Sequence, residues 1–368
     1  AVQGIVYSRQ RVNIFPCNLV QMSIVDAKAP TVVFFSNEHD RRCPGAVRRF
    51  DDIVGQHLVD LLLDDLALRN GHMIRPPMYR FCIAGVNAVN IRLRETRDPR
   101  IQLLLTGLEL SVNESFLSHK GDTFKAETTI ENLGRYALQE KARFGNPDTL
   151  YFLTGRDAYG TRWGRDDNTL RGLGYNNGIC DTWFVALGED VPGTFSGADT
   201  FAHEVGHLLG ATHDGQIADH AYPNKPSAQN CPFFQGYIMG TGKLGAISHH
   251  YSQCSLDQMK YIVTLRGSSC WQVTATKPYN TTKEYPGMVL SADEYCQRKF
   301  AKKKDVRADS SGYFDPQCLV RCYFKETYDT NPNSQSSYQD VDALEYTSCG
   351  QGKFCIQGVC TVPPEEHN

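Results

Sequence analysis

At 368 residues the chain is roughly two to three times the usual single-domain length, so it can bury a large core and still carry an appendage. Its 41% hydrophobic and 21% charged residues exclude a disordered or collagen-like chain. With 38 basic against 41 acidic residues, a formal net charge of -3, and only Lys302, Lys303 and Lys304 as a basic run, nucleic acid is not an expected partner.

Taken in chain order, the first residues, Ala1-Val2-Gln3-Gly4, have neither the basic start nor the apolar stretch of a signal peptide, so none is expected within this sequence. Residues 46–70 admit two readings. One is an amphipathic helix through Phe50, Val54, Leu58, Leu61 and Leu62; the other is a strand centred on Leu61, Leu62 and Leu63. The strand is the more economical, because a helix over 78–95 and a dense apolar strand over 101–110 then complete a strand-helix-strand unit. Residues 1–52 become an extension outside the catalytic core, read as a propeptide remnant.

Leu133, Tyr136, Ala137 and Phe144 recur at helical spacing before Gly145, Asn146 and Pro147 stop the helix. Residues 149–154 and 183–187 read as buried strands, and the glycine-rich stretch 171–180 as an exposed edge strand. This alternation is an α/β pattern. No apolar run reaches the roughly 20 residues that span a bilayer, so no membrane anchor is expected. Residues 276–288 mix proline, glycine and polar residues without periodicity and read as a linker between a core of 53–275 and a small module of 289–368. That module is too short and polar to hold itself without disulfides. The 13 cysteines, six of them from Cys296 to Cys360, exceed what a cytosolic enzyme keeps reduced and point to secretion. Two sequons, Asn113-Glu114-Ser115 and Asn280-Thr281-Thr282, agree with a glycoprotein.

The chemistry lies in His203-Glu204-Val205-Gly206-His207-Leu208-Leu209-Gly210-Ala211-Thr212-His213-Asp214. Two histidines four apart on a helix project from one face and can grip one zinc ion at about 2.0 to 2.1 Å. Glu204, turned away from the ligand positions, can reach the attacking water as general base. Gly210 tolerates the conformation that ends a helix, so the chain can bring His213 back as a third ligand and leave the fourth position open.

These residues resemble the metzincin zinc endopeptidases, and Asp214 after the third histidine resembles the reprolysin (adamalysin, ADAM-like) branch. Tyr237-Ile238-Met239-Gly240 looks like the methionine turn of that family, with Met239 as the floor beneath the metal. The resemblance spans roughly residues 55–273. It implies a twisted mixed sheet with an antiparallel edge strand above the active-site helix, and an irregular lower part after His213. By the same resemblance Cys180 pairs with Cys270 and Cys231 with Cys254. The segment Cys349 to Cys360 is similar to the disintegrin-like or cysteine-rich modules of ADAM relatives, and the arrangement of domains looks most like tick salivary metalloproteases.

The pairing of Cys296, Cys318, Cys322, Cys349, Cys355 and Cys360 stays open, since six cysteines permit 15 connectivities. No role follows for Cys17, Cys43 or Cys82; neither Cys17 nor Cys43 matches the family's cysteine-switch pattern. Cys270 is followed by Trp271-Gln272-Val273 rather than the family's calcium-binding asparagine, so calcium gains no support.

The resemblance implies zinc-dependent hydrolysis of peptide bonds in extracellular proteins, such as matrix or clotting proteins, with the substrate extended along the 172–178 edge and the stretch 241–251 walling a hydrophobic pocket. It also implies that the C-terminal module helps hold large substrates, and the boundary at 276–288 predicts a catalytic unit that stands without residues 279–368. The competing class is an idle protease domain acting as a secreted binding protein through its cysteine-rich module. Intact Glu204 and histidines speak against it.

Overall fold

The computed structural model describes residues 19–26, 78–109, 115–121, 123–191, 193–241, 245–271, 283–309, 318–328 and 336–364. In this part the helices are α1 (Met78–Leu93), α2 (Ala126–Gln139), α3 (Ala198–Leu208), α4 (Gln253–Arg266), α5 (Pro286–Val289) and α6 (Ala292–Lys299). The strands ahead of α3 are β1 (Leu19–Asp26), β2 (Ile101–Glu109), β3 (His119–Lys120), β4 (Thr123–Lys125), β5 (Thr149–Thr154), β6 (Asp157–Arg162), β7 (Arg165–Asp167), β8 (Gly172–Gly174) and β9 (Val185–Glu189).

β5 is buried along its whole length, as a strand covered on both faces must be. Its side chains alternate. Tyr151 and Leu153 join one core with α1 and α3 residues such as Val86, Val89, Phe201 and Val205, whereas Leu150 and Phe152 join another with Ile130 and Leu133 of α2. The main sheet runs β2-β1-β5-β9-β8, with β5 parallel to β9 and β8 antiparallel on the outer edge. Strands β3, β4, β6 and β7 form a second sheet.

The sheet departs from the sequence reading in one place. The strand expected at Leu61 to Leu63 lies outside the described residues, and the position between β2 and β5 is held by β1, antiparallel to both. A stretch read as an extension outside the core thus supplies a central strand. The sequons at Asn113 and Asn280, and Cys17 and Cys43, also lie outside the described residues.

The C-terminal module contains α6 and two three-stranded sheets: β10 (Lys304–Ala308), β11 (Leu319–Lys325) and β12 (Ser337–Asp342), then β13 (Ser348–Gly350), β14 (Lys353–Ile356) and β15 (Val359–Thr361). Disulfides Cys296–Cys322, Cys318–Cys355 and Cys349–Cys360 staple it, and Cys82 is buried in α1. The linker boundary does not divide the hydrophobic core. Leu290, Tyr295, Val320, Val341, Leu344 and Cys355 belong to the same buried cluster as Val86, Phe201 and Met239. The end of the stretch read as linker is itself ordered: Tyr285 stacks on Tyr346 with centroids 3.9 Å apart, and the Gly287 amide donates to the Glu345 carbonyl at 2.8 Å.

A charged cluster seals the same junction. Arg92 of α1 is 2% exposed and reaches Asp199 of α3 at 2.5 Å and Glu345 of the module at 3.4 Å. His249 meets Glu345 at 3.2 Å and Asp342 at 4.0 Å. Burial disfavours the charged imidazole, yet the facing carboxylates of Asp342 and Glu345 outweigh that and lift its pKa to about 9. Arg92 and Asp199 also face it, with Lys299, Tyr295 and Asp340 lining the same cavity.

Because the folded pKa is raised above the ordinary 6.5, the contribution to stability is full below pH 6.5 and lost as pH rises through about 9. The shift corresponds to roughly 3 kcal/mol. Burial pushes the Glu345 carboxyl up, but His249 and Arg92 hold it below its ordinary value, so its contribution is present above that value and lost in acid. The melting temperature is therefore expected to fall between pH 7 and pH 9.5, and His249→Gln to flatten that fall. A fall of equal size in the variant would show that other groups carry it.

Candidate metal centre

α3 places His203 and His207 one turn apart, with ring centroids 4.8 Å from each other. The helix ends at Leu208, and Gly210 follows at φ 110°, where a Cβ would lie 2.4 Å from Ile262 Cγ1. The chain reverses there, and Gln258 of α4 accepts the Thr212 amide at 2.8 Å. That reversal sets His213 with its ring centroid 5.1 Å from His203 and 4.8 Å from His207.

The donor chemistry of the three rings suits a cation. His203 Nδ1 lies 2.7 Å from the Ile238 carbonyl and His207 Nδ1 lies 2.8 Å from the Ala211 carbonyl. A carbonyl only accepts, so both Nδ1 atoms carry the proton and both Nε2 atoms present lone pairs. One ring nitrogen from each of the three histidines falls within 4.8 Å of the others, and the Nε2 atoms of His203 and His213 approach to 3.1 Å. Converging lone pairs of this kind call for a metal ion. Burial pushes His203 down to about 4, and pushes His207 and His213 below their ordinary value, so all three are neutral near pH 7 as ligation requires.

The groups around the ligands fix their frame. Met239 is fully buried, and its Sδ would lie 2.7 Å from a Cβ at Gly206, so the turn fits only against a glycine between the two helical histidines. The Asp214 amide donates to the Met239 carbonyl at 2.9 Å, and the Asp214 carboxylate accepts from Ser252, the N-cap of α4, at 2.6 Å. Asp214 therefore ties the third histidine to the methionine turn and to α4. Disulfide Cys231–Cys254 fastens the segment before that turn to α4, and Cys180–Cys270 fastens the segment after β8 to the chain beyond α4.

Glu204 is 5% exposed and lies under the edge strand β8. Burial alone lifts its carboxyl to about 8, and a cation beside it would favour the carboxylate. A Cβ on Gly172 would come within 2.6 Å of Thr200 Cγ2 and 2.7 Å of Glu204 Oε1, and one on Gly174 within 3.0 Å of the Glu204 carbonyl. The edge glycines are therefore space for the carboxylate. Gly172→Ala is expected to cost about 1 to 3 kcal/mol through overpacking and to displace Glu204. A melting curve and a zinc titration check this; wild-type stability in the variant would contradict it.

The structure brings together the histidines, Glu204, Gly210, Asp214 and Met239 that the motif singles out. The Ile238 carbonyl, Ser252, Gln258 and the edge glycines enter the frame only in the structure. Backbone acceptors carry no sequence signal, and Ser252 follows the motif by many residues.

Residues 161–265 match the family described as Metallo-peptidase family M12B Reprolysin-like. The chain is 25% identical over 323 residues to the protein "A disintegrin and metalloproteinase with thrombospondin motifs like" of Bombyx mori, covering 84% of this chain and 44% of that one. It is 26% identical over 224 residues to human "A disintegrin and metalloproteinase with thrombospondin motifs 13", covering 59% and 14%. It is 31% identical over 131 residues to "Venom metalloproteinase 3" of Eulophus pennicornis, covering 35% and 32%. The chain thus spans less than half the length of each of these relatives. The matched region holds all three histidines, Glu204 and Met239, and in it the chain is similar to the reprolysin-like, ADAM-like metallopeptidases.

Proposed function

We propose that the protein is a secreted zinc endopeptidase that hydrolyses peptide bonds in extracellular proteins. The observation that carries this reading is the convergence of three neutral imidazoles beside a buried carboxylate under an open sheet edge. Zinc, held by His203, His207 and His213, would supply Lewis-acid polarisation of the scissile carbonyl and would acidify the attacking water. Glu204 takes the proton from that water on a carboxylate oxygen and hands it to the leaving nitrogen. The outer side of β8 offers main-chain donors and acceptors to an extended peptide, which binds independently of its side chains.

Five disulfides among the described residues support an oxidising, extracellular setting. Among the described residues no helix is long and apolar enough to cross a membrane. Extracellular proteins are accordingly the substrate class; matrix or clotting proteins and a salivary source rest on the sequence resemblance. Phenanthroline is expected to abolish cleavage of a short quenched peptide, and added zinc to restore it, while serine and cysteine reagents leave it unchanged. Cleavage that persists in excess chelator would overturn the assignment.

A further inference from the structure

We infer that the C-terminal module is a positioning element for the metal centre, acting through Glu345, and not only a stabilising cap or a substrate tether. This rests on the reading of His203 as a zinc ligand. The path is short and made of single contacts. The His203 ring is oriented by the Ile238 carbonyl at 2.7 Å. The Ile238 amide in turn donates to the His250 carbonyl at 2.9 Å. His250 ends the turn Ala246–His249, and the module grips that turn from its far side. Glu345 holds His249, and Asp342 accepts the Gly245 amide at 2.7 Å. Gly358, in the tight turn between β14 and β15, lies so close that a Cβ there would sit 2.4 Å from Ala246 Cα. Tyr251, just past the turn, donates to the Ala202 carbonyl of α3 at 2.6 Å and packs on Gly206.

The same carboxylate reaches the active-site helix by a second route. Glu345 meets Arg92, and Arg92 meets Asp199 in the first turn of α3. Arg92 and His249 lie 3.3 Å apart, so two groups of like charge are held together by the anion that faces both. With Glu345 neutralised, the two cations have one fewer anion between them and must separate. That separation moves the turn on which the Ile238 carbonyl depends. Groups that orient a metal-ligating histidine commonly govern metal affinity by roughly 10- to 100-fold. Glu345 acts two contacts further out, through His250 and its neighbour His249, so the lower end of that range is expected.

The test uses the full chain loaded with zinc. Glu345→Gln keeps the shape and removes the charge. Asp342→Asn is the milder variant should the first fail to fold, since Asp342 is 20% exposed. Asp340→Asn, which breaks the Arg321 pair inside the module at 2.8 Å, is the control. Zinc release to a colorimetric chelator is expected to quicken about 10-fold in Glu345→Gln and by less in Asp342→Asn, with Asp340→Asn unchanged. On a short peptide, kcat should fall with KM nearly constant. Release at the wild-type rate in both latch variants would overturn the inference, whatever their melting temperatures. Should the wild-type protein cleave no peptide, the proposed activity fails while the zinc-release comparison still decides the positioning role.

Discussion

Glu204→Gln is expected to leave one zinc bound per chain and to lower turnover by about 10² to 10⁴. The carboxylate packs against Gly172 and Gly174 of β8, and the rings of His203 and His207 are oriented by the Ile238 and Ala211 carbonyls and not by Glu204. Replacement by the isosteric amide therefore leaves the ligand frame intact. What the amide cannot do is take a proton from water at neutral pH. Metal analysis beside a peptide assay checks both halves. Near-wild-type turnover in a zinc-replete variant would remove Glu204 from the proposed role, and loss of zinc would show that it holds the ligands.

Ending the chain at residue 276 is expected to abolish folding of the catalytic unit and with it cleavage of short and long substrates alike. Leu290, Tyr295, Val320, Val341 and Leu344 share one core with α1 and α3, so their removal exposes Val86, Phe201 and their neighbours to water. Arg92, buried in the full chain, would also lose its Glu345 partner, and breaking a buried pair costs about 3 to 5 kcal/mol. Domain stability is commonly about 5 to 15 kcal/mol, so the two losses together are decisive. Among the described residues no disulfide crosses the linker, and cohesion across it is noncovalent. Soluble yield, a cooperative melting transition and zinc stoichiometry of the truncated chain are the readouts. A truncated protein with full zinc and wild-type kcat on a short peptide would restore the independent catalytic unit that the sequence boundary suggests.

The candidate metal centre was legible because its geometry is local. One helical turn separates His203 from His207, and the glycine that ends the helix is written a few residues later. Strands β5 and β9 were legible for a similar reason, since burial on both faces makes an uninterrupted apolar run. β1 was not, because antiparallel insertion between β2 and β5 depends on partners far along the chain. The link between the module and the catalytic core was equally hidden. In sequence Arg92 is an ordinary basic residue near the end of a helix, suited to a solvated face; in the fold it is buried between Asp199 and Glu345. Proline and glycine at 286 and 287 read as linker, yet Gly287 is where the backbone approaches Thr347 too closely for any Cβ.

The most direct measurement of the central claim is mass spectrometry of the peptides that the zinc-loaded full chain releases from a mixed extracellular proteome, with Glu204→Gln and chelated protein run in parallel. The account predicts new N-termini at internal bonds, absent from both controls and recovered when zinc is returned to the chelated sample. New termini of equal abundance in all three samples, or none at all from protein carrying one zinc per chain, would contradict it.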